Sequence, residues 1–146
     1  MKLRKATRED GRDIFIWRND IITRQMSIDT QEINFENHVN WLEKALNNKE
    51  LRLFILEKEI NKVGVVRFDR ENQDLIVSIN LNPAFRGQGL ALKTLTLAID
   101  EIRKEWKFDT IIAKIKPDNK ASITLFEKCG FVQKECINNM LIYTKK

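Results

Sequence analysis

Apolar residues change their spacing several times along the chain, and each change marks an element. Leu75, Val77, Ile79 and Leu81 alternate with Ile76, Ser78 and Asn80, the period of two that belongs to a strand. From residue 91 the spacing becomes three and four: Ala91, Leu92, Leu95, Ala98, Ile99 and Ile102 predict a helix to about Trp106. Upstream, Leu51, Leu53 and Ile55 alternate with Arg52, Phe54 and Leu56, and Val63 to Phe68 reads as the next strand. Asn61-Lys62 is the expected turn between those two strands, and the polar run 69–74 is a second turn.

Nearer the start, Leu3 to Ala6 reads as a short first strand. Thr7-Arg8-Glu9-Asp10 has the form of a capping box with Asp10 in the acidic position. It opens a helix carrying Ile14, Trp17 and Ile21, ended or bent by Trp17-Arg18-Asn19-Asp20. Residues 20–33 are polar enough for a mobile loop. Asn34 then caps a second helix with Phe35, Val39, Leu42, Ala45 and Leu46 on one face. Toward the end, Thr110 to Lys116 is a strand stopped by Pro117, and Asp118 caps a short helix through Cys129, with Gly130 beyond its end. Phe131 to Glu135 and Met140 to Thr144 form a last pair joined by Asn138-Asn139. Strands outnumber helices and are separated by crossover helices. The expected class is therefore α+β, a mixed sheet flanked by helices, in a single domain spanning 1–146.

Composition narrows the class without naming a chemistry. The 146 residues, 42% hydrophobic and 32% charged, describe one globular domain large enough for a proper core. Apolar runs fall short of the roughly 18 residues a membrane span needs, and the first ten residues lack a signal peptide's apolar stretch. A cytoplasmic protein without a membrane partner is expected. Cys129 and Cys136 have no metal-ligand spacing and are too few for a disulfide scaffold, so no metal is expected. The net charge of +5 comes from basic residues scattered among 21 acidic ones, which favours a small anionic ligand over nucleic acid.

The candidate chemistry lies where strand turns into helix, at Leu81-Asn-Pro-Ala-Phe-Arg86-Gly87-Gln88-Gly89-Leu90-Ala91. A helix N-terminus presents N–H groups without intrahelical partners and the positive end of the macrodipole. Glycines there let the chain turn and let a ligand reach the backbone. The combination suits a phosphate cradle. It is neither the dinucleotide fingerprint, which needs a third glycine, nor a P-loop, which needs Gly-Lys-Ser/Thr.

Arg86-x-x-Gly89-x-Ala91 resembles the acyl-CoA pyrophosphate loop of the GNAT N-acetyltransferases. Asn119-Lys-Ala-Ser122-Ile-Thr-Leu-Phe126-Glu-Lys-Cys-Gly130-Phe131 is similar to the same family's closing helix and strand. The likeness runs the whole length, and is strongest from about residue 50. It implies a GNAT-like fold: a mostly antiparallel sheet of about six or seven strands and about four helices. The sheet splays between the Ser78 strand and the Thr110–Lys116 strand. It also implies acetyl-CoA as cosubstrate, whose phosphates suit the modest basic excess, and direct acetyl transfer to a primary amine.

By that resemblance, backbone N–H groups of Gly87, Gln88, Gly89, Leu90 and Ala91 bind pyrophosphate, with Arg86 framing the loop. Backbone around Ile79 to Leu81 holds the pantetheine arm, and Asn119, Ser122 and Phe126 line the cofactor. Asn119 can equally satisfy the first turn of its own helix. Many relatives carry tyrosine where Phe126 stands, as the acid for the leaving thiolate. Phenylalanine has no proton to give, and Tyr143 is the only tyrosine. The single histidine, His38, is the natural general base for the amine, or else a helix-start hydrogen-bonding residue. Ser78 and Asn80 share the strand face opposite the apolar set, pointing into the pocket to hold acceptor or water, with Ser78 a catalytic candidate beside His38 and Asn80 an acceptor-binding one, or else simply to solvent.

Trp17-Arg18-Asn19, Met26 and the His38–Trp41 segment resemble a branch acting on nucleotide-linked amino sugars or on protein N-termini. Trp17 and Met26 would pack on a sugar or base, although Trp17 at helical spacing from Ile14 also reads as core. Arg18 or Arg24 would meet a phosphate. The expected partner is thus a small-molecule amine, with the chain a monomer or homodimer. An amino sugar is the favoured acceptor. The alternatives are a protein N-terminus, a polyamine, or a silent acyl-CoA-binding module.

Overall fold

The computed structural model describes residues 1–146. Seven strands form one sheet in the order β1-β2-β3-β4-β5-β7-β6. They are β1 Lys2–Lys5, β2 Leu51–Lys58, β3 Asn61–Glu71, β4 Asp74–Leu81, β5 Thr110–Ile115, β6 Val132–Ile137 and β7 Met140–Lys145. Every neighbouring pair is antiparallel except β4–β5. The helices are α1 Gly11–Asn19, α2 Ile21–Met26, α3 Phe35–Asn47, α4 Leu90–Glu105 and α5 Lys120–Lys128. This is the mixed α+β architecture anticipated from the periodicities, with the splay that the family resemblance implied. No helix is long and apolar enough to cross a membrane.

Strand alternation sends two sets of side chains to two different layers. On one face Phe54, Val66, Phe68, Leu75 and Val77 pack with Leu95, Ala98, Ile99 and Ile102 of α4. On the other, Leu51, Leu53, Ile55 and Val65 meet Ile14 and Trp17 of α1 and Leu42 and Ala45 of α3. Between helix and sheet at the domain's edge sits Asp10, fully buried. Its carboxylate takes a bidentate pair from Arg4 at 2.8 and 2.8 Å, the Thr7 N–H at 2.8 Å and the Lys62 ammonium at 2.8 Å. Burial works against its charge, but the hydrogen bonds from Arg4 and Lys62 outweigh burial and hold the carboxyl well below its ordinary range. The acidic residue of the capping box is thus also the anchor tying β1, β3 and α1 together.

Several local expectations are corrected. The stretch 20–33 is not simply a loop. Asp20 accepts from the Thr23 N–H at 3.1 Å and starts α2, and Asn19 holds the far end through Ile33 N–H (2.8 Å) and Ile33 C=O (2.6 Å). In α3 the buried residues are His38, Leu42 and Ala45, while Phe35 and Val39 are exposed. The β2–β3 turn falls at Glu59-Ile60, with Glu59 at φ 58°, two residues before Asn61-Lys62, which already belong to β3. The cap of α5 is Asn119 rather than Asp118.

The feature that positions chemistry is the parting of β4 and β5. They pair only from Asp74–Ile76 to Thr110–Ile112, yet continue to Leu81 and Ile115. The Asn82 N–H bonds Val63 C=O at 2.8 Å, and antiparallel hydrogen-bonded pairs alternate. The main-chain groups of Asn80 and Ser78 therefore face β3, and those of Ile79 and Leu81 face the open gap.

Candidate active site

Three features converge on that gap. The first is the turn into α4. Asn82 closes β4 by accepting from the Ala84 N–H at 3.1 Å, and Gly87 and Gly89 then take φ 75° and 73°. L-side chains are strained at such angles. A Cβ at either glycine would meet nothing within 4 Å, so the space above both is open. The N–H groups of Gly87, Gln88 and Gly89 make no backbone hydrogen bond. Asp20, Asn34 and Asn119 cap α2, α3 and α5 with their side chains, whereas α4 has no side-chain cap and no acid in its first turn. The Leu90 and Ala91 amides therefore join an unopposed cluster of donors at the positive helix end. The arrangement fits a diphosphate.

The Arg86 side chain is engaged with the start of α2. Its guanidinium binds the Asp20 carboxylate and, at 3.0 Å, the Thr23 hydroxyl. That hydrogen bond from Arg86 keeps the Asp20 carboxyl below its usual range. Lys116, just past β5, donates to the Gln25 carbonyl at 3.1 Å. So α2 is tied to the end of β4 through the Arg86 turn and to the end of β5 through Lys116.

The second feature is the gap itself, bordered by the main chain of Ile79 and Leu81. The third is a cavity of about 60 Å³ on the α1/α3 side of β4. Its polar lining is Arg18, Arg67, Ser78 and Asn80, with Trp41 as one wall and Ile14, Leu53 and Val65 as floor. Cross-strand register brings Arg67 opposite Ser78 and Val65 opposite Asn80. The Arg18 guanidinium carbon sits 4.3 Å from the Trp41 ring centre and that of Arg67 5.4 Å from it.

Of the sequence-predicted site residues, the fold gathers Arg18, Ser78 and Asn80 in the cavity, Ile79 and Leu81 at the gap, and Arg86 to Ala91 at the turn. Others go elsewhere. Trp17 is 3% exposed and belongs to the core, as its spacing from Ile14 allowed. Met26 ends α2 and does not line the cavity. Phe126 is a core residue, edge-on to Phe131 with ring centres 5.0 Å apart. The Asn119 Oδ1 is taken by the Ser122 N–H at 3.2 Å, the capping role. Tyr143 is buried and donates to Glu127 at 3.1 Å; burial first, and Glu127 second, push its pKa up.

His38 is fully buried and outside the cavity lining. Nε2 lies 2.8 Å from the Gly11 carbonyl oxygen and Nδ1 3.2 Å from an Arg18 N–H. A guanidinium can only donate and a carbonyl only accept, so the tautomer follows: Nδ1 accepts and Nε2–H donates. Burial, and then the Arg18 charge, lower the His38 pKa against the opposing pull of the Gly11 carbonyl. The ring is neutral with both nitrogens engaged. Sequence reading missed Arg67; a lone cation within the apolar run Val63–Phe68 was the available signal.

The Acetyltransferase (GNAT) domain model matches residues 1–132. The chain is 27% identical over 135 residues to the uncharacterized SPbeta-prophage-derived N-acetyltransferase YokL of Bacillus subtilis (strain 168), covering 90% of this chain and 76% of that one. In fold it is similar to a ribosomal-protein-alanine N-acetyltransferase from Brucella melitensis, with TM-score 0.84, 23% identity and 99% of each chain covered. It is also similar to a spermidine N-acetyltransferase from Vibrio cholerae, solved with CoA and spermine, with TM-score 0.83, 21% identity, and 98% and 92% of the two chains covered.

Proposed function

Because this chain belongs to the GNAT acetyltransferase family, and is thus an acetyl-CoA-dependent acyltransferase, we propose that it acetylates a primary amine by direct attack on the thioester. The observation that carries this reading is the coincidence of the parted β4–β5 pair with the uncapped, glycine-opened start of α4. In this reading, amides of Gly87 to Ala91 hold the pyrophosphate of acetyl-CoA. The main chain of Ile79 and Leu81 continues the sheet onto the pantetheine arm. One N–H at that edge polarises the thioester carbonyl, a fixed-dipole effect that lowers a barrier by about 3 kcal/mol.

Ser78 and Asn80 stand on the cavity side of the same strand, where the amine enters. As the C–N bond forms, the C–S bond breaks and its electron pair leaves on sulfur. A thiol has an ordinary pKa of about 8.5, so the thiolate departs without a strong acid. Phe126 in the core and Tyr143 committed to Glu127 are consistent with that. With both nitrogens of His38 occupied, the amine's proton goes to water beside Ser78 and Asn80, and His38 acts by holding Arg18.

The acceptor we favour is a nucleotide-linked amino sugar, supported by Arg18 and Trp41 on the cavity wall. Thiol release monitored over a panel of amines, alongside calorimetric titration with acetyl-CoA, tests the activity. Saturable binding and amine-dependent release are expected. Binding with no release from any amine would instead identify an acyl-CoA-binding module.

A further inference from the structure

The cavity's charge is out of balance. Two guanidiniums line it, and the carboxylate that reaches them, Asp69, is committed to Arg67 at 2.7 and 3.0 Å. Arg18 has no carboxylate within ion-pair distance; its polar neighbour is the uncharged Nδ1 of His38. Burial, with the repulsion of Arg67 behind it, draws the Arg18 pKa down. A half-buried cation facing a second cation is costly unless an anion joins them. The arrangement is nevertheless built rather than incidental. His38 fixes one edge of the Arg18 guanidinium, Trp41 fixes its face at 4.3 Å, and Asp69 fixes the Arg67 fork. Each arginine retains N–H donors beyond those its neighbours take up.

We infer that Arg18 and Arg67 are the specificity-determining pair of the acceptor pocket, binding a carboxylate or phosphate carried by the amine substrate between them. This rests on the acetyl-transfer reading above and adds what the acceptor must carry besides its amine. Ser78 sits directly across from Arg67, and the next residue on β4, Ile79, faces the gap. An anion seated on the arginines therefore points the rest of the acceptor along β4 toward the thioester. A polyamine brings only further positive charge to the two guanidiniums and is disfavoured. An amino acid or a phosphorylated amino sugar meets the requirement. His38 is a positioning residue here, its Nδ1 lone pair steering Arg18.

The test uses the full chain, acetyl-CoA and matched acceptors: an amino acid against its amide, glucosamine 6-phosphate and a nucleotide-linked amino sugar against glucosamine, and spermidine. An advantage of about tenfold or more in kcat/KM, mostly in KM, is expected for anion-bearing acceptors over their neutral partners, as charge-assisted hydrogen bonds would give. Which anionic acceptor leads distinguishes a carboxylate ligand from a phosphate. Arg67→Gln and Arg18→Gln should each erase most of that advantage while acetyl-CoA affinity, read calorimetrically, stays within about twofold. His38→Ala should raise KM for anionic acceptors alone. Equal turnover of neutral and anionic partners, preference for spermidine, or discrimination unchanged in both arginine variants overturns the inference while leaving acetyl transfer intact. No thiol release from any acceptor would instead count against the activity. In that event the same acceptors titrated without turnover decide, with anion-selective binding lost in Arg67→Gln supporting the pair and unselective binding refuting it.

Discussion

Gly89 is where the reading of the turn can be broken most cleanly. At φ 73° an L-residue such as Ala is strained by about 1–2 kcal/mol. For a domain near this size that lowers Tm by roughly 2–8 °C. Asn tolerates the left-handed region, so Gly89→Asn keeps most of the stability while still adding a side chain. Nothing lies within 4 Å of the new Cβ in the protein, so neither variant clashes internally. That open space is instead where a diphosphate must approach to reach the Gly87–Ala91 amides. Each lost charge-assisted contact costs about 1.5–3 kcal/mol, equivalent to about 10–150-fold in affinity. Calorimetric titration with acetyl-CoA, paired with thermal melts of wild type, Gly89→Ala and Gly89→Asn, separates the two effects. Both variants should lose acetyl-CoA affinity by at least about tenfold, but only the Ala variant should lose substantial stability. Gly89→Asn binding acetyl-CoA as tightly as wild type would refute the cradle.

Two further predictions probe the scaffold under the site. Replacing Asp10 by Asn removes the charge that Arg4 and Lys62, each about one-quarter exposed, share, and leaves them with Glu57 and Asp13 respectively; it should lower stability at pH 7 by about 1.5–3 kcal/mol in urea unfolding, the range for losing hydrogen bonds to a charged group. The folded-state pKa of Asp10 is depressed, so its contribution is fully present above the unfolded value near 4 and fades as pH falls below it; the gap between wild type and variant should narrow there, and a constant gap would contradict the charge argument. At Gly64 a Cβ would lie 2.9 Å from the Asn80 carbonyl oxygen and 3.3 Å from the Leu81 Cα, so Gly64→Ala must push β3 from β4. It should cost about 1–3 kcal/mol and reduce turnover more than acetyl-CoA affinity, since the Gly87–Gly89 turn is untouched; unchanged kcat would show that the β4 backbone is not held in place by this contact.

Much of the architecture was legible because it is local. Alternation at Leu75–Leu81 and helical spacing from Ala91 to Ile102 each report one element's own burial, and Gly87 and Gly89 fall where backbone angles admit glycine most readily. The turn into α4 could therefore be located from sequence, as could the strand facing it. Reading failed where a residue's fate depends on a partner distant in sequence. His38 bears a side chain suited to proton transfer and Phe126 one suited to cofactor contact, yet the surroundings of His38 are supplied by Gly11 and Arg18, and Phe126 joins a core built with Leu95, Ala98 and Ile111. Ile21 and Phe35 are apolar yet remain exposed, because no neighbouring layer covers them.

The sequence by itself determined the strands, every helix except α2, and the glycine turn that bares the α4 amides, since periodicity and backbone preference act over a few residues. Only the tertiary structure decided that β4 and β5 part after Ile76, that His38 is sealed with both nitrogens engaged, and that Arg18 and Arg67 share one cavity. Those outcomes depend on register across the sheet and on helix packing over it, which set charges side by side that lie 49 residues apart in the chain (67 − 18).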